Sequence, residues 1–222
     1  MKYRHEWKHE ISYPDVMVLR TRLGTVMKPD PHAVDGSYYI RSLYFDNNYD
    51  MALNEKINGI NEREKFRIRY YNLDTDLIHL EKKSKINGLC NKQSALLTKE
   101  EAQSIVDGDI DFMISHESNL VKELYFKMKS QGLKPKTIVD YKREPYVFGP
   151  GNVRVTIDYD IRTGLSCTDF LNSDCTMIRA GDAYILEVKW DEFLPEIIKD
   201  VVTLPGVRSG AFSKYGVCRM YG

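Results

Sequence analysis

Apolar and polar residues alternate with a period of two along much of this chain. Such alternation is typical of β-strands whose two faces have different environments. It predicts eight strands, near residues 3–12, 38–46, 63–72, 77–85, 89–96, 136–147, 152–162 and 183–191. Turn sequences such as Asn58-Gly59 and Asn87-Gly88 separate the strands, and no repeat or long linker interrupts them. We therefore expect a single domain over residues 1–222.

Helices are predicted between these strands. Pro14 suits the first turn of a helix that runs to about Met27, and Thr98 with Glu101 forms a capping box. Further helices are predicted over residues 48–57, 117–131 and 194–202, and Ser213 is expected to cap a C-terminal helix. Together these elements predict an α+β fold, a closed eight-stranded antiparallel β-barrel with helices packed outside. An open α+β sheet is the alternative.

The polar faces of the predicted strands are strongly charged. Lys65, Arg67 and Arg69 share one strand face, and the residues between them are apolar or aromatic. Three adjacent cations repel one another, so this arrangement indicates an anion in front of them. On four other predicted strands, residues of both charges share one face. These sets are Arg4, Glu6 and Lys8 on the first strand, His79, Glu81 and Lys83 on the fourth, Arg154, Thr156, Asp158 and Arg162 on the seventh, and Glu187 and Lys189 on the eighth.

Two interpretations of these charged faces remain open. Apolar faces require burial, and charged faces require water or a counter-ion. In a barrel, the apolar faces can point outward beneath helices while the charged faces line a wet interior. Alternatively, the charged faces meet bulk solvent and the apolar faces form an ordinary core.

Composition narrows the function classes. The chain is 42% hydrophobic and 29% charged with a formal net charge of +0, so no global basic field would attract nucleic acid, and we expect no nucleic-acid partner. No apolar run is long enough to span a membrane. The four cysteines form no Cys-x-x-Cys pair, which indicates reduced thiols in a cytoplasmic protein. P-loop, α/β-hydrolase and Rossmann fingerprints are absent from the sequence.

Short motifs spread over nearly the whole chain carry a more specific signal. They are Tyr3-Arg4-His5-Glu6-Trp7-Lys8, Arg41-Ser42-Leu43-Tyr44-Phe45-Asp46, Lys65-Phe66-Arg67-Ile68-Arg69-Tyr70, Leu80-Glu81-Lys82-Lys83, Tyr141-Lys142-Arg143, Val155-Thr156-Ile157-Asp158, Leu186-Glu187-Val188-Lys189 and Ser213-Lys214-Tyr215. In this order they resemble the VTC domain. That domain is the polyphosphate polymerase branch of the triphosphate tunnel metalloenzymes, the CYTH-like superfamily.

The resemblance implies a tunnel in which basic side chains hold phosphates and a Glu on a late strand holds Mn²⁺ or Mg²⁺. Carried over by motif, the catalytic candidates are Arg67, Arg69, Lys83, Arg143 and Lys214. The substrate-binding candidates are Lys8, Arg154, Lys189, Ser213 and Tyr141, with Lys65 and Lys92 added from strand parity. Glu187 is the principal metal-ligand candidate, and Glu6 and Glu81 are further ones.

One departure concerns the first strand. The wider superfamily carries Glu-x-Glu-x-Lys there, whereas this chain has Arg4 in place of the first Glu. The change removes a potential metal ligand and favours the polymerase branch. The leading hypothesis is therefore a polymerase that uses ATP and inorganic polyphosphate. A triphosphatase, with Glu6, Glu81 or Asp158 as base, and a non-catalytic polyphosphate-binding module are the alternatives.

Overall fold

The computed structural model describes residues 3–207 and 209–220. The strands in this part of the chain are β1 (His5–Ile11), β2 (Lys28–Pro29), β3 (Tyr38–Asp46), β4 (Arg63–Tyr71), β5 (Asp74–Ile86), β6 (Leu89–Leu97), β7 (Lys134–Phe148), β8 (Val153–Thr163), β9 (Ile178–Arg179) and β10 (Tyr184–Trp190). The α-helices are α1 (Tyr13–Val26), α2 (Met51–Ile57), α3 (Lys99–Asp107), α4 (Asn119–Gln131), α5 (Glu196–Val202) and α6 (Lys214–Met220). Two 3₁₀ helices span Asp111–Ile114 and Pro150–Asn152.

The strands form one antiparallel sheet in the order β1-β10-β8-β7-β3-β4-β5-β6. The short strands β2 and β9 pair with β7 and β8. All eight predicted strands are present, within a few residues of their predicted ends. The two-residue strands β2 and β9 were not predicted, because two residues are too few to show alternation.

The sheet is curled but open, so the prediction of a closed barrel is wrong. In the described part of the chain, its edge strands β1 and β6 approach each other through one isolated bridge, Arg4 to Cys90. Each of these two residues donates its backbone N–H to the other's carbonyl, at 3.0 and 3.2 Å. A closed barrel needs a matched register along the whole of both edge strands. Alternation within a strand cannot specify such a register.

Helices α1 and α3 begin where the sequence signals predict, whereas α2 begins at Met51, three residues later than predicted. Ser12 caps α1 by accepting the N–H of Asp15, whose carboxylate accepts the N–H of Ser12 in return at 2.9 Å. Thr98 and Glu101 make the same reciprocal pair at α3. None of the helices in the described residues is long and apolar enough to cross a membrane.

The helices cover the outward, apolar faces of the sheet. Helices α3 and α4 bury Phe66, Ile68 and Leu80, and α1 and α5 bury the apolar residues of β8 and β10. A third cluster lies on the concave side of the sheet, where Ile40 and Tyr44 of β3 pack with residues of α6. The apolar residues of the outer faces are therefore covered, and Lys65, Arg67 and Arg69 of β4 point to the concave side.

A β-bulge in β8 changes one predicted face. The pairing of β7 with β8 shifts register between Asp140 and Lys142, and Asp160 has a positive φ of 52°. Beyond the bulge, Arg162 is exposed and pairs with Asp160 at 3.0 Å, while Ile161 is buried. Arg162 therefore does not share the charged face of Arg154, as the sequence pattern had predicted, because the extra residue reverses the alternation.

Candidate functional site

The concave side of the sheet encloses a cavity of about 350 Å³, here called the main cavity. Each of the eight long strands contributes to its lining, as do α6 and the residue before it. Fourteen of the fifteen predicted site residues line it: Glu6, Lys8, Lys65, Arg67, Arg69, Lys83, Lys92, Tyr141, Arg143, Arg154, Glu187, Lys189, Ser213 and Lys214. The charged faces thus line an interior rather than an open surface.

The remaining predicted residue, Glu81, lies behind this lining and is 3% exposed. Its carboxylate accepts hydrogen bonds from Arg67 at 2.6 and 2.8 Å and from Lys92 at 3.0 Å, and Arg69 lies 3.6 Å away. Burial raises the pKa of Glu81, but these three cations bring it well below its usual range. Glu81 therefore orients the two arginines.

Arg69 is anchored on its other sides by neutral oxygens. Its guanidinium donates to Ser42 Oγ at 3.0 Å and to the Tyr141 hydroxyl at 2.8 Å. The Tyr141 ring also lies near cations, with Lys214 Nζ 4.6 Å from its centroid. Such packing against neutral groups helps to hold each cation in one place without adding negative charge.

Tyr44 projects into the same region, a placement that its sequence motif did not predict. Its hydroxyl accepts a hydrogen bond from Arg67 at 2.8 Å, and Lys65 Nζ lies 5.3 Å from its ring centroid. Burial alone would raise the pKa of Tyr44, but Arg67, Lys65 and Arg69 together lower it to about 7. Burial lowers the pKa of Lys65 to about 8, although Tyr44 acts in the opposite direction.

Glu6 and Glu187 share cations in another part of the main cavity. Lys8 Nζ lies 3.1 Å from Glu6 and 3.4 Å from Glu187, and Lys83 lies 2.6 Å from Glu6. Lys189 pairs with Glu187. Burial and Glu187 raise the pKa of Glu6, but the lysines lower it to about 2. Burial likewise opposes ionisation of Glu187, yet Lys189 and Lys8 bring its pKa well below the usual range.

Asp158 forms a third centre and is completely buried. Arg143 donates two hydrogen bonds to it at 2.6 and 2.7 Å, and Lys214 of α6 adds a third at 2.5 Å. Burial raises the pKa of Asp158, but Arg143 and Lys214 lower it to about 2. Strand parity had placed Asp158 on the charged face, but nothing in the sequence indicated that it anchors two predicted catalytic residues.

The charges of the main cavity do not balance. Arg4 and Arg154 pair with Asp191 and Asp30 at its edge. Nine other cations remain with four carboxylates. The cations are Lys8, Lys65, Arg67, Arg69, Lys83, Lys92, Arg143, Lys189 and Lys214, and the carboxylates are Glu6, Glu81, Asp158 and Glu187. An excess of cations in a partly desolvated space favours binding of a polyanion.

The predicted metal ligands are only partly brought together. Glu6 and Glu187 contact the same lysine, whereas Glu81 is held by Arg67, Arg69 and Lys92. Within residues 3–207 and 209–220, no three His, Cys, Asp or Glu side chains converge as a metal site. A divalent ion here would therefore rely on Glu6, Glu187 and oxygens of the substrate.

The sequence pattern of the VTC domain matches residues 3–221, so this chain belongs to the VTC domain family. A protein from Bacillus halodurans proposed to be an adenylate cyclase has a similar structure, with a TM-score of 0.52 and 14% identity over 92% of this chain and 93% of that chain. The PH1819 protein from Pyrococcus horikoshii gives a TM-score of 0.48 and 14% identity over 97% of each chain. No curated protein matches the chain.

These comparisons confirm the resemblance on which the sequence prediction relied. At 14% identity, the similarity to the Bacillus halodurans protein shows the fold alone. Membership of the VTC domain family, together with this tunnel-type fold, supports a function that involves triphosphate or polyphosphate.

Proposed function

We propose that this chain is a metal-dependent polyphosphate polymerase that transfers the γ-phosphate of ATP to a growing polyphosphate chain and releases ADP. The observation that carries the proposal is the excess of cations, contributed by strands all around one cavity, in a member of the VTC domain family. Cations on several strands can contact successive phosphates of a linear chain, and Arg provides a planar fork for phosphate oxygens.

In the proposed reaction, an oxygen of the terminal phosphate of the acceptor chain attacks the γ-phosphorus of ATP. The bond between the γ-phosphorus and its bridging oxygen breaks, and ADP leaves with the electron pair. The attacking oxygen is already ionised, so positioning and charge neutralisation matter more than a strong base. The main cavity suits this chemistry, because its carboxylates are ion-paired and Glu6 and Asp158 have pKa values near 2.

We assign the roles by position. Arg67, Arg69, Lys83, Arg143 and Lys214 would contact the reacting phosphates, since Glu81 and Asp158 hold three of them in fixed orientations. The predicted substrate-binding residues in the lining would bind the rest of the two substrates: Lys8, Lys65, Lys92, Arg154, Lys189, Ser213 and Tyr141.

The chemistry of Glu6 and Glu187 fits Mn²⁺ or Mg²⁺. Both carboxylates are ionised and both approach one ammonium group, so the position already attracts a cation. Mg²⁺ is usually held by one or two carboxylates together with substrate phosphates. When bound there, the ion would neutralise phosphate charge.

Hydrolysis of a triphosphate is the second candidate function. Water, unlike a phosphate end, needs a base. Tyr44, with a pKa of about 7, is a group in the main cavity that could accept a proton near neutral pH. This observation favours a hydrolase over a module that only binds polyphosphate.

The deciding experiment incubates the pure protein with ATP and Mn²⁺ or Mg²⁺ and measures polymer length, ADP and orthophosphate together. We expect polymer, with one ADP released for each phosphate incorporated. Orthophosphate without polymer would identify a hydrolase instead. Binding of polyphosphate without turnover would identify a module that only binds polyphosphate.

The site is tested by Arg67→Ala and Glu187→Gln. Each should lower turnover by about a hundredfold or more, because Arg67→Ala removes a group that stabilises transition-state charge and Glu187→Gln weakens the carboxylate pair proposed to hold the metal. Arg67→Ala should still fold, because Glu81 keeps Lys92 and Arg69 as partners. Arg179→Ala, at an exposed salt bridge outside the main cavity, is the matched control. Full activity in either site variant would contradict the role of that residue.

A further inference from the structure

A second cavity, of about 370 Å³, adjoins the main cavity. The two share Glu6, Lys8, Lys65, Lys83 and further lining residues, so they are direct neighbours. The second cavity is bordered by α2, by the adjacent ends of β4 and β5, and by the segment 209–213. We call this second cavity the mouth.

Three cations at this mouth are not used by the proposed chemistry. Lys56 of α2, Arg63 of β4 and Lys85 of β5 are all partly buried and line the second cavity. In the described part of the chain, none of the three forms an ion pair with a carboxylate. Arg63 donates to the carbonyl of Ile60. We call Lys56, Arg63 and Lys85 the mouth cations.

The carboxylates around this cavity do not neutralise the mouth cations. Glu6 pairs with Lys8 and Lys83, and Glu64 is held by Lys127 at 2.5 Å. Glu55 attracts Arg63 from beyond ion-pair distance. The mouth thus adds positive charge to a main cavity that already has an excess of it.

The mouth cations also repel one another. Burial lowers the pKa of Lys56, and Arg63, Lys8, Lys85 and Lys83 lower it further. Repulsion of this kind is relieved when an anion lies among the cations. Because the mouth and the main cavity share lining residues, a linear anion held in the main cavity could continue into the mouth.

We propose that the mouth cations bind the part of a polyphosphate chain that extends beyond the main cavity. This inference rests on the proposed function and adds a separate binding segment to it. A triphosphate would occupy the main cavity alone, whereas a longer chain would also contact Lys56, Arg63 and Lys85. Affinity should therefore rise with chain length, and the mouth should supply the increase.

The test compares the binding of tripolyphosphate and of long-chain polyphosphate to the wild type and to the double variant Lys56→Gln/Lys85→Gln. Binding is measured by calorimetry at several salt concentrations, without turnover. In the double variant, we expect the affinity for long-chain polyphosphate to fall roughly tenfold, because two solvent-screened charge contacts are lost. The affinity for tripolyphosphate should stay within about twofold of the wild-type value. For long-chain binding, the slope of log affinity against log salt concentration should become shallower by about one for each lysine removed.

Lys134→Gln/Lys199→Gln is the matched control, because it removes two exposed lysines elsewhere and should change neither affinity. Circular dichroism verifies the fold of both variants. Equal losses for both ligands, or no loss for either, would overturn the inference. If the wild type fails to bind tripolyphosphate, the proposed function itself fails. If it binds tripolyphosphate but gains no affinity with chain length, only the separate mouth segment is refuted.

Discussion

Individual carboxylates determine where the interior cations can act. Asp158 fixes Arg143 and Lys214, and Glu81 fixes Arg67. Removing the carboxylate from such a buried cluster costs roughly 3–5 kcal/mol, because its cations are left uncompensated. The carboxylates therefore act as positioning residues, and the substrate meets cations that are already oriented.

Tyr44 provides a test at the scale of a single residue. Because its pKa is lowered to about 7, the ligand-free protein should show one tyrosine that ionises near neutral pH, visible as tyrosinate absorbance in the ultraviolet. Tyr44→Phe should abolish this transition. Bound polyphosphate should raise the pKa, because an adjacent polyanion disfavours the phenolate. Tyr49→Phe, which removes an exposed tyrosine, is the control.

The same group predicts the sign of a pH effect on stability. A phenol with a folded-state pKa of about 7 and an unfolded value of about 10 contributes stability above pH 10 that is lost as the pH falls through 7. Between these values, the free energy of unfolding of Tyr44→Phe should therefore rise less with pH than that of the wild type. If every tyrosine of the wild type titrates above about pH 9, the electrostatic account of Tyr44 is wrong.

At the scale of elements, the side chain of Asp46 connects strand β3 with helices α2 and α6, which lie beside the two cavities. Asp46, at the end of β3, accepts the N–H groups of Ala52 and Leu53 in α2 and the hydroxyl of Tyr215 in α6, the last at 2.7 Å. Helix α6 carries Lys214 into the main cavity, and α2 carries Lys56 to the mouth. The position of both cations therefore depends on Asp46.

Asp46→Ala should destabilise the protein by about 3 kcal/mol, because several buried donors lose a charged acceptor. Tyr215→Phe should cost only about 1 kcal/mol, since Asp46 keeps its three backbone donors, which are Asn47, Ala52 and Leu53. Urea unfolding of the two variants measures the difference. Equal destabilisation would mean that the hydroxyl, rather than the backbone contacts of α2, carries the connection.

For the whole molecule, the sequence predicts the strands well and their closure poorly. Alternation is a local property, so it locates the strands and assigns Lys65, Arg67 and Arg69 to one face. The open edge between β1 and β6 depends on a register between residues far apart in the chain. The bulge at Asp160 and the placement of Tyr44 likewise depend on pairing, which carries no signal in the sequence of one strand.

The imbalance of charge has a consequence for the stability of the whole protein. Lys65 lies in the main cavity without an ion pair to any carboxylate among the described residues, and burial lowers its pKa to about 8. In the ligand-free state it adds repulsion and a desolvation cost, while in the proposed complex it meets phosphate. Lys65→Met keeps a similar volume and removes the charge. It should therefore stabilise the ligand-free protein and weaken polyphosphate binding.

Salt provides the second measurement of this prediction. Added salt screens repulsion between partly exposed cations, so it should raise the thermal midpoint of the ligand-free wild type and reduce the further rise that polyphosphate produces. Lys65→Met should show smaller responses to both, whereas Lys134→Met, at an exposed position, should match the wild type. Lower stability of ligand-free Lys65→Met would show that Lys65 is compensated in the fold. The interior would then be built for its own ion pairs rather than for an anionic chain.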